Sequence, residues 1–179
     1  MSDYLTEGPT WTPEECNYAR AVHTAACEMA AAMFRHAPGY CLALLGQTTV
    51  GKSMISRKLK EWWNLTARFA GNQVWKYEAA TWIDWPNHTF QQVEDATRTN
   101  GLLILDEVGR GRVSAAASAA ATDRLIDLLS IRENRSLFTV VTANWSAADV
   151  PDGALLERFR RNGSRCIEAP AKLRPFSRR

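Results

Sequence analysis

The sequence predicts a three-layer α/β fold around a mostly parallel, five-stranded sheet. Three observations carry that prediction. Short apolar runs alternate with helix-like stretches along the chain. One run leads directly into Gly46-Gln47-Thr48-Thr49-Val50-Gly51-Lys52-Ser53, a GxxxxGK(S/T) loop that opens a helix. Another run ends on two adjacent carboxylates, Asp106 and Glu107.

Thr12-Pro13-Glu14-Glu15 reads as a helix start. Thr12 can cap, Pro13 suits the first helical position, and Glu15 completes a capping box. This helix runs through an Ala-rich stretch to about His36 and breaks at Pro38-Gly39. Tyr40 to Leu45 is a short apolar run suited to a buried parallel strand. A helix follows from Lys52 to about Phe69, closed by Gly71-Asn72, and Gln73 to Tyr77 is the candidate second strand. Thr89 to Thr97 reads as helix and Leu102 to Asp106 as the third strand. Gly111 to Thr122, rich in Ala and Ser, is either a mobile loop or the first turns of the helix predicted over Asp123 to Glu133. Leu137 to Thr142 makes a fourth strand, Asp152 to Arg161 a helix, and Arg165 to Glu168 a weak fifth strand. Strand spacing leaves no room for a second domain. Residues 1–39 are therefore expected to attach, as an N-terminal helical segment, to a core spanning residues 40–179.

At 179 residues and 46% hydrophobic content, the chain is long enough to bury a sizeable core. No apolar run approaches the ~20 residues that would span a bilayer. The acidic start, with Asp3, Glu7, Glu14 and Glu15, does not read as a signal peptide. Cys16, Cys27, Cys41 and Cys166 are scattered, and His23, His36 and His88 form no cluster. The expectation is a cytoplasmic, reduced protein without structural zinc or membrane association. From Glu157 onward eight Lys/Arg stand against two Glu, giving 8 − 2 = +6, so the net charge of +3 leaves −3 for the remainder. A basic end on a mildly acidic body suits an anionic partner, phosphates or nucleic acid, and equally a solvated tail.

The glycines of the 46–53 loop let several backbone N–H groups converge on phosphates, and the helix N-terminus adds positive potential. In this reading Lys52 reaches the β- and γ-phosphates of ATP and the Ser53 hydroxyl holds Mg²⁺. Asp106 completes the Mg²⁺ shell, and Glu107 polarises the attacking water, which favours hydrolysis over transfer to a small acceptor. Asn144, emerging from the fourth strand, orients that water or reads the γ-phosphate, or simply favours the turn that follows the strand.

In order and spacing, GQTTVGKS, LLILDEVG, a helix ending LLSIREN, FTVVTANWS and LLERFRR resemble the core of DnaC/IstB-like AAA+ ATPases over roughly Tyr40 to Arg174. The small size would suit a phage or prophage member. The resemblance implies a strand order of 5-1-4-3-2, with the Asn144 strand between the two phosphate-site strands. It implies that Asn144 is the sensor-1 residue and that Arg158, in ERF, is an arginine finger delivered to a neighbouring subunit of a homo-oligomer. Arg174, in KLR, matches a sensor-2 arginine contacting ATP. The implied partners are single-stranded DNA and a replicative helicase or a transposase. The loop departs from the family in carrying Gln47-Thr48-Thr49-Val50 where Gly or Pro is commoner. The segment before Tyr40 is also short for a separate helicase-docking domain.

Arg110 and Arg112 flank Gly111 and could hold the phosphates of a single strand in a central channel, or be solvated. Of the adjacent Trp62 and Trp63, one is expected in the core. Trp11, Trp82 and Trp85 offer either stacking surfaces or a protein-docking patch. A P-loop kinase with Arg158, Arg160 and Arg161 as a lid is the competing enzyme class. A nucleotide-dependent binding module is the competing non-enzyme class.

Overall fold

The structure, a computed structural model, describes residues 12–35, 37–47, 50–69, 80–87, 89–99, 101–109 and 115–171. Helix α1 (Pro13–Phe34) starts on the expected capping box. Glu15 N–H donates to Thr12 Oγ1 at 3.2 Å, and Thr12 N–H donates to the Glu15 carboxylate at 2.8 Å. Strand β1 (Cys41–Leu45) feeds the loop and α2 (Lys52–Phe69). Then come β2 (Thr81–Asp84), α3 (Phe90–Arg98), β3 (Leu103–Val108) and α4 (Ala115–Asn134). Strand β4 (Thr139–Ala143), α5 (Gly153–Arg158) and β5 (Arg165–Glu168) complete the chain order.

All five strands are parallel, in the order β2-β3-β4-β1-β5. This is the 5-1-4-3-2 order that the family resemblance implied. Strands covered on both faces should read as apolar runs, and β1, the first half of β3 and the centre of β4 do. Alternate residues feed two cores. Leu42, Leu44, Ile104 and Val140 face α1 and α2, while Ala43, Leu45, Leu105 and Val141 face α3, α4 and α5. Helix α1 thus packs on the same face as α2, with Met29 and Met33 fully buried.

The second strand lies further along the chain than the sequence indicated. Thr81–Asp84 occupies the sheet position next to β3, whereas residues 73–77 lie outside the described residues. Helix α4 begins at Ala115, so the Ala/Ser stretch from there on supplies its first turns. Helix α5 ends at Arg158, earlier than Arg161. Of the tryptophan pair, Trp63 is core and Trp62 is exposed. Trp85 is buried in the second core, which removes it from any docking patch, and Trp11 lies outside the described residues. Among the described residues no helix is long and apolar enough to cross a membrane.

Candidate functional site

The site forms where β1, β3 and β4 end side by side. Gly46 follows β1 with φ +125°, and a Cβ there would stand 2.5 Å from the Cβ of Ala169. That close approach exists because Ala169 N–H donates to Leu45 O at 2.9 Å just beyond β5. Only glycine meets both demands. Val50 is buried in the core shared by α1 and α2 and pins the far side of the loop, and Gly51 turns with φ +86° into α2. Thr48 and Thr49 lie outside the described residues.

Lys52, the first residue of α2, is almost wholly buried. Its ammonium donates to Gly46 O and Gln47 O, each at 2.6 Å, and to Asn144 Oδ1 at 3.3 Å. Burial pushes the Lys52 ammonium down to about 8, while the carboxylates of Asp106 and Glu107 act in the opposite direction. Both acidic residues therefore bear on the same cation.

A bulge at the end of β3 brings this about. Leu105 pairs with Val141 and Val108 with Ala143, so β3 carries one residue more than β4 over this interval. Glu107 adopts φ +60°, a region that non-glycine residues rarely occupy. In a regular strand Asp106 and Glu107 would point to opposite faces, and the bulge re-aims the second carboxylate. Ser53 donates its hydroxyl proton to Asp106 Oδ1 at 2.9 Å, and Thr142 donates to the same oxygen at 2.6 Å. Gly109, with φ +77°, lies directly under the Trp145 ring, which leaves no space for a side chain.

Asn144 is fixed from both sides. Its main-chain N–H donates to Val108 O at 3.2 Å, and its side-chain oxygen accepts from Lys52. The central position of β4 is what places Asn144 between the loop after β1 and the carboxylates after β3. Sequence reading did not single out Thr142 as a site residue. The available signal was a hydroxyl following two valines near the end of a buried strand, two residues before Asn144.

Gly46, Gln47, Val50, Gly51, Lys52, Ser53, Asp106, Glu107 and Asn144 are thus brought together at one end of the sheet. The Ser53 hydroxyl, with lone pairs left after donating its proton, and the Asp106 carboxylate form a hard oxygen pair suited to Mg²⁺. Arg158 is elsewhere. It lines a cavity of about 290 Å³ with Gly39, Tyr40 and Cys41, at the start of β1 rather than its end. There it is ion-paired to Glu133 Oε2 at 2.6 Å, and Asn162 donates to the other carboxylate oxygen. The four steps of β1 span roughly 13 Å, so Arg158 does not reach its own chain's phosphate loop. Arg110, Arg112 and Arg174 lie outside the described residues.

No protein-family model and no curated protein matches the sequence. Solved structures do match. DnaI is similar at TM-score 0.56 and 17% identity, over 93% of this chain and 87% of that one. The DnaC helicase loader gives TM-score 0.54 and 12% identity over 93% and 96%. The replication initiator DnaA, bound to AMPPCP and single-stranded DNA, gives 0.57 and 12% over 90% of this chain and 48% of that one. These likenesses show the fold: a parallel five-stranded α/β sheet with a strand-end phosphate-type loop, shared with DnaI, the DnaC helicase loader and DnaA.

Proposed function

We propose that this chain is an ATP-hydrolysing replication protein of the helicase-loader kind, acting as a homo-oligomer on single-stranded DNA. The observation that carries the reading is the convergence of Lys52, the Ser53–Asp106 pair, Glu107 and Asn144 on one strand-end cleft. ATP lies with its phosphates against the loop of residues 46–53 and the N-terminus of α2. Mg²⁺ held by Ser53 and Asp106 supplies neutralisation of phosphate charge. Lys52 exchanges its bonds to Gly46 O and Gln47 O for phosphate oxygens. Glu107 takes a proton from water as the water oxygen bonds to the γ-phosphorus, and the bond from that phosphorus to the β–γ bridging oxygen breaks. Asn144, held by Lys52, orients that water or the γ-phosphate.

The structural similarity to the DnaC helicase loader, and to a DnaA bound to AMPPCP and single-stranded DNA, supports this reading. Arg110, directly after Gly109, and Arg112 two residues further on are assigned to DNA phosphates, and Arg174 is assigned to ATP. A replicative helicase is the proposed protein partner. A transposase uses the same motifs and is the alternative.

Phosphate release measured with ATP alone tests the enzyme. We expect Mg²⁺-dependent release that rises with single-stranded DNA, and loss of tight ATP binding in Lys52→Ala. DNA binding is expected to weaken steeply with salt, as phosphate contacts do. Turnover that requires a small-molecule acceptor would instead identify a kinase. Absence of DNA binding even at low salt would leave a protein-directed ATPase.

A further inference from the structure

Thr142 is fully buried in β4, and its hydroxyl makes two bonds that run in opposite directions. As donor it gives its only proton to Asp106 Oδ1 at 2.6 Å. As acceptor it takes the main-chain N–H of Glu107 at 2.9 Å. The second bond is a consequence of the bulge. With β3 out of step beyond Leu105, the Glu107 N–H falls between the paired positions of the ladder, and the Thr142 hydroxyl serves as its acceptor. The first bond sets the carboxylate. Ser53 and Thr142 both donate to the same oxygen of Asp106, which fixes the plane and rotamer of that group. One hydroxyl therefore ties the cation-side carboxylate to the left-handed main chain that aims Glu107.

We infer that Thr142 is a positioning residue of the site, whose hydroxyl holds Asp106 and Glu107 in one fixed relation. This rests on the reading of the cleft as a Mg²⁺–ATP site. Valine in its place has nearly the same shape but neither donates nor accepts. It would leave Asp106 held by Ser53 alone and leave the Glu107 N–H without that acceptor in a region where its φ is unfavourable. Serine keeps both bonds and loses only a methyl group.

The test is a Mg²⁺ titration of nucleotide binding, read by a fluorescent non-hydrolysable ATP analogue, alongside steady-state turnover. Thr142→Val is expected to bind the analogue without Mg²⁺ as wild type does. Its Mg²⁺ midpoint should rise by roughly 10–100-fold, the usual cost of removing a group that orients a metal ligand. Turnover should fall in kcat without a matching rise in KM. Thr142→Ser should restore both. Should the valine variant fail to fold, Thr142→Cys, similar in size with a weak S–H donor, is expected to fall between serine and valine. A valine or cysteine variant with the wild-type Mg²⁺ midpoint and kcat overturns the role of Thr142. So does a serine variant as impaired as valine, which would assign the effect to packing of the methyl group. A wild-type chain that binds no nucleotide with or without Mg²⁺ overturns the reading of the cleft itself, and Thr142's role with it.

Discussion

Lys52 Nζ and Asn144 Oδ1 stand 3.3 Å apart across 92 residues of sequence. That contact joins the helix after β1 to the turn after β4, and it exists only because β4 is inserted between β1 and β3. A γ-phosphate drawing on Lys52 would compete with Asn144 for the same ammonium. Under the proposed function, phosphate binding by Lys52 would therefore be coupled to the position of Asn144.

The buried ammonium gives nucleotide affinity a pH dependence. Free Lys52 loses its proton near 8, below its ordinary value, because burial outweighs the two carboxylates. Bound phosphates favour the charged form, so binding takes up a proton once the pH exceeds that value. ATP affinity measured by calorimetry should be flat below about pH 7.5 and weaken toward tenfold per pH unit above about pH 8.5. Affinity that stays flat through this range would place the phosphates away from Lys52.

Glu107→Gln is expected to bind ATP as wild type does and to hydrolyse it roughly 10²–10⁴-fold more slowly, since an amide cannot accept the water proton. The main-chain bond to Thr142 does not involve the altered group, so the φ +60° conformation should persist and thermal stability should hold. Single-turnover kinetics beside a binding titration separates the two effects. Undiminished turnover would remove Glu107 from the chemistry.

What was legible in the sequence is what depends on local order. The phosphate loop is contiguous, and the capping box at Thr12 and Glu15 is a three-residue relation. The buried central strands announce themselves by short, mainly apolar runs. Strand β2 does not, because it is four residues long, pairs on one side only, and has just Ile83 fully buried. The relations that were missed are tertiary. Thr142 meets Asp106 across 36 residues and Arg158 meets Glu133 across 25, and neither separation leaves a periodic trace. Arg132 is the extreme case, a charged side chain in the helix predicted over Asp123 to Glu133 that ends fully buried.

Arg132 owes that burial to carbonyls. Its guanidinium donates to the main-chain oxygens of Ala96, Thr99, Gly101 and Phe138 and to Thr139 Oγ1, tying the end of α3 to the starts of β3 and β4. Arg132→Met should cost about 3 kcal/mol or more, because several buried acceptors lose their donor at once. Arg132→Lys should recover little, since one ammonium cannot span the fork. Urea denaturation of the three proteins measures this. A methionine variant within ~1 kcal/mol of wild type would show that water replaces the guanidinium.

Arg158 sits at the opposite end of β1 from the phosphate loop, on the final turn of α5 and partly exposed. An arginine so placed does not reach its own chain's phosphate loop, and in the proposed homo-oligomer it acts on ATP in a neighbouring subunit. Its pairing with Glu133, itself shared with Asn162, fixes where the guanidinium is held while other N–H donors remain for a second partner. Arg158→Ala should therefore bind ATP about as well as wild type while losing turnover, by roughly 10³–10⁵-fold if it stabilises transition-state charge as arginine fingers do. Loss of turnover alone does not locate the residue, because a folding defect near Glu133 could produce it. Mixing does. Arg158→Ala and Glu107→Gln are each expected to be inactive, yet a mixed assembly contains interfaces pairing an intact Glu107 of one chain with an intact Arg158 of the next. Activity should reappear on mixing, peak near equal proportions, and vanish on dilution below the assembly range. Mixtures that stay inactive while both variants assemble and bind ATP would confine Arg158 to its own chain, as a surface arginine holding Glu133.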